Sequence, residues 1–600
     1  VAEILSRRAE ELVDGFNRRV TNLRERPEYV ALTRGLRVEE AVVLANRLLK
    51  PGEWWAVGID GSLDYDERLE MLLFYVCATG YRCPLIITRD RVEFDLKRAE
   101  RDARLSASTA VPLWADDLSD VSPSGMATDQ VYEQAIQRIP FAMMTMAELV
   151  LALQAVRTPQ VKVVFLDRPL TGTYGPLLTS TRRLLKLGRS RLVGLPTREG
   201  ELTLMDLDLA SVLGPGDLYV PPRHPYLRRA ALQVLIRESP ISRAELGRRL
   251  YLDEKDLSWL MANISKFDKE YDHQFLERSD LQELVVRERV RGFWRRAVEV
   301  AERLAERFFY GEGHPLIIEG KGWLSVRDMN TVNLILLYRL IEESIKRGVL
   351  LIGVTKDTGA TDFTRSVIPF SAVQGVIAIP EDGKEPAETR LKNDQAFLTV
   401  MSTVNHERIK PPWRTLSYDV CFTSLVWAEG DKDKGGEGLR AARKTVFREQ
   451  LFVKSYFQLA AFRLDESARS PVFVYDRLFD PSFDLDFVFE TGARDERGDL
   501  VLRPYFEGKG FNPLDNLVLH LLAGCDNPEV IEAFGHNQLL YLADKAVKFE
   551  VKHMRETLRG VADIKLGTLT RRGRLYSIYR RFRTLRGEYE RARSRGARGW

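Results

Sequence analysis

The sequence predicts an α/β protein: a mixed sheet flanked by helices and interrupted by a helical insertion with the plan of a winged helix. Three observations carry this reading. Apolar runs at 54–62, 69–79 and 84–88 have strand length and short connections, as in an antiparallel meander. A later apolar run, 161–167, stands between two stretches of helical periodicity, which is how a strand joined by crossovers reads. Beyond Val193 the composition shifts to short helical patterns behind a Gly- and Pro-rich stretch at 213–225, the mark of an insertion.

In chain order, residues 1–50 show helical apolar spacing through Ile4, Ala9, Leu12, Val13 and Phe16, and Pro51-Gly52 ends the pattern. The three strand-like runs follow. Residues 89–125 are polar, irregular and rich in Asp and Ser, which predicts a long loop. Helical patterns at 129–138 and 143–156 are separated at Pro140, and Thr158-Pro159 closes the second. The strand at 161–167 leads to an amphipathic basic helix at 174–189. In the insertion, 228–237, 241–250 and 253–265 read as three short helices ahead of 275–286, and Ser242 and Glu245 have capping-box spacing. Such a module suits DNA, a protein partner or a purely structural role, and the sequence leaves the three open. A long helix is expected at 287–309, a strand at 314–320, a helix at 331–347 and a strand at 349–355. Charged loops at 382–388 and 429–438, late strands at 452–462 and 471–477, and helices at 514–523, 528–534 and 537–554 complete the chain. The expected division is a helical region (1–50), the first part of the α/β core (51–193), the insertion (194–310), the second part of the core (311–570) and a basic tail (571–600).

Composition narrows the function. At 600 residues the chain exceeds one ordinary core. A hydrophobic fraction of 44% is that of a soluble globular protein, and no apolar run approaches bilayer length, so no membrane partner is expected. The first residues lack the features of a signal peptide, and Cys77, Cys83, Cys421 and Cys525 lack zinc-type spacing, so a cytoplasmic location is expected. There is neither a Walker A pattern nor a His-Glu-x-x-His motif. A net charge of +4 argues little for nucleic acid, but the tail at 571–600 is dense in arginine, with Tyr576, Tyr579, Phe582 and Trp600 interleaved. Guanidinium groups pair with phosphate and aromatic faces stack on bases, so the tail is read as a DNA contact, with a solvated extension as the alternative.

Two apolar runs end in aspartate: Ile59-Asp60-Gly61-Ser62 and Phe165-Leu166-Asp167. Carboxylates delivered by strand ends can converge on hard divalent cations. Asp-Gly also suits a hairpin turn, and Asp167 can also cap one. Glu148 lies on the helical pattern before Asp167, although Thr145 and Glu148 share capping-box spacing too. Lys356 follows the strand at 349–355 and can meet a phosphate as a point charge. A rival reading places Glu319, after Ile317-Ile318, in the role of Asp167, with Glu302 or Glu306 in that of Glu148. Asp167 is preferred because it follows the meander after one helical crossover. His520 and His536 read as ordinary helix-end or core histidines.

Strand, strand, strand, helix, strand, helix is the order of an RNase H-like core. Within it, Ile59-Asp60-Gly61-Ser62, Phe165-Leu166-Asp167-Arg168-Pro169-Leu170, Leu351-Ile352-Gly353-Val354-Thr355-Lys356-Asp357-Thr358 and the run from Gly535-His536-Asn537 to Ala543-Asp544 resemble the NurA nuclease family, partners of HerA hexameric translocases in DNA end processing. The resemblance spans about 54–549. It implies an RNase H-like nuclease core over 51–193 and 311–570, manganese or magnesium as cofactor, a homodimer, a HerA-like hexameric ATPase as partner, and DNA cut at ends or in single strands. Carried over by residue, it implies Asp60, Glu148, Asp167 and Asp544 as metal ligands, and Lys356 beside them in the catalytic set. Asp544 stands where the family often has histidine, and Arg168 where it usually has glycine. These departures leave an alternative open: a non-catalytic subunit that binds DNA or the translocase.

Overall fold

The computed structural model describes residues 2–24, 26–68, 71–114, 117, 128–215, 227–250, 252–279, 283–356, 358–373, 375–378, 391–419, 425–428, 438–441, 452–462, 465–484, 506–527 and 531–569. The strands are β1 (Thr33–Gly35), β2 (Gly52–Arg68), β3 (Met71–Ile87), β4 (Val92–Phe94), β5 (Glu100–Trp114) and β6 (Val161–Leu166), then β7 (Ile241–Ser242), β8 (Leu276–Ser279) and β9 (Glu283–Val286) in the insertion, and finally β10 (Leu350–Thr355), β11 (Trp413–Thr415), β12 (Tyr418–Asp419), β13 (Phe452–Gln458) and β14 (Phe473–Leu478). Apart from β7, β8 and β9, they form one 11-stranded sheet in the order β1-β11-β13-β14-β10-β6-β2-β3-β4, with β12 on β13 and β5 on β3. Only its centre is parallel: β6 runs alongside both β2 and β10. β6 reads Val-Lys-Val-Val-Phe-Leu because helices cover both of its faces, which leaves almost no position for a polar residue.

The helices are α1 (Ala2–Arg24), α2 (Val38–Leu48), α3 (Thr128–Arg157), α4 (Leu170–Leu187), α5 (Leu204–Leu213), α6 (Leu227–Glu238), α7 (Arg243–Arg249), α8 (Glu254–Glu270), α9 (Phe293–Tyr310), α10 (Val326–Arg347), α11 (Asp394–Val404), α12 (Pro513–Gly524) and α13 (Gln538–Leu569). Strand alternation divides them between the two faces. Val57 and Ile59 of β2 pack with α3, α4, α5, α9 and α10. Ala56 faces the other way, among residues of α2, α12 and α13.

Several expectations need correction. Residues 71–79 and 84–87 of the two expected runs belong to the single strand β3, and β2 continues through Asp60-Gly61 to Arg68 rather than ending there. The loop expected at 89–125 holds β4 and β5, and β5 pairs along β3. Its signal was a period-two alternation of Leu105, Ala107, Val111 and Leu113, all buried, thinned by Ser106, Ser108 and Thr109 between them and by Arg104 ahead of them. Pro140 does not divide α3. The lost N–H costs one hydrogen bond, while Ile139, Ala142, Met143 and Met146 all bury against the sheet. Within α3, residues Arg138–Arg157 have the length and apolarity of a membrane span, contrary to the sequence reading, and 83% of the most apolar window is buried inside the protein. The helix expected at 287–309 breaks at Gly292, and the strand at 314–320 is a two-residue arm, Ile317–Ile318, hairpinned to Gly322–Trp323 outside the main sheet. Of the helix expected at 528–534, residues 528–530 lie outside the described residues, and Ile531–Ala533 form a short 3-10 turn. Region 1–50 adds β1 to the sheet edge against β11. The loop at 382–388, most of those at 213–225 and 429–438, and the tail at 571–600 lie outside the described residues.

In the insertion, α6, β7, α7 and α8 precede the hairpin β8–β9, and the three strands form a sheet in the order β8-β9-β7. That is the winged-helix arrangement. Ser242 caps α7 by accepting from the Glu245 N–H at 3.1 Å. Asp253 caps α8, whose first turn also holds Glu254 and Asp256.

Candidate metal centre

The pairing of β2 with β6 ends at Ile59 and Leu166, and the Asp167 N–H donates to the Ile59 carbonyl at 3.0 Å. Asp60 and Asp167 therefore leave neighbouring parallel strands at one level, although β2 itself runs on. On the other side of β6, β10 stops at Thr355 and presents Lys356, whose Nζ lies 2.7 Å from Asp167 Oδ2. The fourth group comes from α13, which lies across β2 and β3. Leu539 sits so close to Gly58 that a Cβ there would come within 2.6 Å of the Leu539 Cβ, so glycine permits the approach. Further along the same helix is Asp544. One carboxylate oxygen from each of Asp60, Asp167 and Asp544 lies within 4.8 Å of the other two.

The electrostatics of this group are unbalanced. Burial, then the negative charges of Asp167 and Glu148, push the Asp60 carboxyl up to about 9, against the pull of Lys356. Burial works against the Lys356 charge, but Asp167 outweighs it and raises the amine. Asp544 is partly buried, yet Lys548, 2.7 Å away, and Lys356 hold its carboxyl below the usual range. Three acids thus converge where too few fixed cations meet them, and Asp60 keeps a proton. A divalent cation would take that proton's place. The donor set is all carboxylate oxygen, which fits manganese or magnesium and gives no thiolate for a softer metal.

Glu148 stands apart from this group. Gly61 faces α3, where a Cβ would strike the Glu148 carboxylate and Met144, while Asp60 faces α13. Glu148, expected among the ligands, is outside the trio whose oxygens lie within 4.8 Å of one another; it ion-pairs with Arg168, and its charge still reaches Asp60. Arg168 also donates to Thr145 Oγ1 at 2.9 Å. Burial raises the Glu148 carboxyl and Arg168 opposes that shift. Thr145 is mid-helix, bonded to the Phe141 carbonyl at 2.9 Å, so the capping-box spacing is coincidental.

The rival set is scattered. Glu319 is exposed in the turn of the small hairpin, Glu306 is exposed, and Glu302 ion-pairs with Arg157 and Arg339. Two residues were missed. Arg168 is the partner that occupies Glu148, and its clue was the strand alternation that turns consecutive residues to opposite faces. His536, read as an ordinary histidine, is held down to about 4 by burial and by the Lys356 charge. Its Nδ1 lies 3.0 Å from the Asn537 carbonyl, and its buried Nε2 has no hydrogen-bond partner. Nothing in the spacing of the sequence marked it. His520 lies 3.3 Å from the Val92 carbonyl, as a packing histidine would.

No family model matches the chain, and no curated protein matches it. Among solved structures it is similar to the NurA nuclease from Sulfolobus solfataricus, at 11% identity over 93% of this chain and 97% of that one, with a TM-score of 0.34. A structure of NurA with manganese gives 12% identity, 93% and 98% coverage and a TM-score of 0.34. One of NurA bound to dAMP and manganese gives 11% identity, 74% and 84% coverage and a TM-score of 0.24. The relationship is a distant structural one.

Proposed function

We propose that this chain is a divalent-metal-dependent deoxyribonuclease that hydrolyses phosphodiester bonds at DNA ends or in single strands. The observation that carries the reading is the convergence of Asp60, Asp167 and Asp544 beside Lys356, where the parallel pairing of β2 with β6 ends under α13. Asp60, Asp167 and Asp544 would hold manganese or magnesium. Bound there, such ions supply an activated water and Lewis-acid stabilisation of the leaving oxygen. The chain itself contributes orientation and charge. Lys356, fixed by its ion pair to Asp167, offers a positive charge to a non-bridging phosphate oxygen. Gly58 lets α13 seat close enough to deliver Asp544.

The test is Asp60→Asn, assayed on single-stranded and duplex DNA across a manganese titration. Cutting should disappear while the far-UV spectrum stays native. Full activity in that variant would refute the assignment. Metal binding without cutting by the parent chain would favour a non-catalytic DNA- or translocase-binding subunit, the reading that the Arg168–Glu148 ion pair supports.

The same proposal extends to a homodimer docked on a HerA-like hexameric ATPase in the cytoplasm. Its supports are the resemblance of motif order, the absence of a Walker A pattern from the sequence, and the free thiols of Cys77, Cys83 and Cys525. A mass measurement showing only monomer, with no translocase retained, would count against it.

A further inference from the structure

A second site of a different kind lies where the winged helix meets the core. A cavity of about 890 Å³ opens between α4 and α5 on one side and α6 and α8 on the other. That is within the range of small-molecule sites, roughly 300–1,000 Å³. Arg182 and Lys186 of α4 and Arg228 and Arg229 of α6 border it, against Asp208 and Glu270.

Two of these charges are already engaged with each other. Asp208 accepts from the Tyr271 hydroxyl at 2.8 Å and lies 3.6 Å from Arg228. The Arg228 guanidinium also sits over the Phe267 ring, 4.6 Å from its centroid. The other cations are not so placed. Neither Arg182, Lys186 nor Arg229 makes a hydrogen bond or ion pair with a described residue, and the Arg229 Nε is buried without any acceptor. A buried N–H of this kind is costly unless something accepts from it. The remaining wall is apolar and aromatic, with Tyr174 and Leu178 among its residues. The volume is far larger than a bare phosphate needs.

We propose that this cleft binds a nucleoside phosphate, with the phosphate taken by Arg182, Lys186 and Arg229 and the base and sugar lying along the Tyr174–Tyr271 side. The source is either a free nucleotide or the terminal nucleotide of a strand, and the chemistry of recognition is shared. The site is separate from the carboxylate centre, so it does not depend on the nuclease reading.

The experiment is calorimetric titration of the full chain in EDTA, with ADP in one arm and a short 5′-phosphorylated oligonucleotide in the other. Saturable binding is expected in at least one arm. The stronger arm identifies the source. The double variant Lys186→Gln/Arg229→Gln should weaken binding about tenfold or more, as for the loss of charged phosphate contacts, while Asp60→Asn leaves it unchanged. Three results would overturn the proposal. One is no binding in either arm up to about 5 mM, a level weaker than any ordinary specific site. Another is binding indifferent to the double variant although its melting curve matches the parent. The third is binding abolished by Asp60→Asn, which would place the ligand at the carboxylates.

Discussion

Two groups of acids in this molecule, each with at least one buried member, face opposite circumstances. Near one end of β14, Arg477 pairs with Asp484 and Asp515, each at 2.8 Å, and all three side chains are fully buried. Tyr475 donates to Asp515, and Asn512 and the Asp480 N–H donate to Asp484, at 2.8–2.9 Å. Burial opposes the Asp515 charge, but Arg477 outweighs it and holds the carboxyl below its ordinary range. At the strand ends Asp60, Asp167 and Asp544 have Lys356 and Lys548 nearby, and Asp60 is driven the other way, to about 9. Asp515 and Asp60 are both buried. What differs is whether the protein supplies the counter-charge and donors itself. The first group is complete as it stands, and the second is one that a cation could complete.

The comparison breaks most completely at the strand ends. Asp60→Asn should lower the rate of DNA cutting by a factor of about 10³ or more, since it removes a ligand charge with little change of shape. Steady-state assays at saturating manganese measure this, and a loss of tenfold or less would equate the two groups.

Next is Arg477→Met. It leaves Asp484 and Asp515 buried without their cation and should cost about 3–5 kcal/mol, read from urea denaturation. A cost near zero would mean that this acid group also bears its charge unaided.

A smaller effect has the opposite sign. The Asp60 carboxyl titrates near 3.8 unfolded and near 9 folded, so the folded state binds the extra proton between those limits. Without metal, stability should therefore fall as pH rises from about 4 towards 9. Asp60→Asn should flatten that slope and stabilise the metal-free protein at neutral pH by about 1–3 kcal/mol, the usual scale for a buried group freed of an unmet charge. Manganese should stabilise the parent more than the variant. A variant less stable than the parent at pH 8 in EDTA would contradict the account.

The smallest effect sharpens the ligand set. Glu148→Gln keeps a hydrogen-bond partner for Arg168 and removes a charge already paired with that guanidinium, so manganese affinity should change by about threefold or less. Asp544→Asn should cost about tenfold or more, since it removes a ligand. Equal losses would return Glu148 to the metal.

The parallel centre was legible in the sequence because β6 is apolar at nearly every position and ends at an aspartate. Asp60 was legible for a partly mistaken reason. It marks where β6 stops beside it, while β2 runs on. The pairing of Glu148 with Arg168 was not legible, because the sequence shows that a helix precedes β6 but not which face it covers. Gly61 holds that information, since only a residue without a side chain admits α3 so closely, but Asp-Gly reads first as a turn. β5 was lost because serine and arginine on its outer face masked the alternation. The insertion was legible in its order of elements. What its surface suits was not. The acidic first turn of α8, with Asp253, Glu254 and Asp256, opposes a phosphate backbone at the place where a recognition helix would meet one.

The docking of α13 sets the order in which this protein can become competent. Asp60 and Asp167 emerge early from the ribosome, whereas Asp544 arrives only after most of the chain has been made. Until α13 lies across β2 and β3, where Arg555 and Arg559 reach Asp64 and Asp66 at 2.5 and 3.1 Å, the carboxylate group is one member short. A chain still being translated, or one shorn of that helix by a protease, would keep the sheet's two aspartates without the third. Under the proposed function, hydrolysis would wait for the docking of α13, with no separate inhibitor needed.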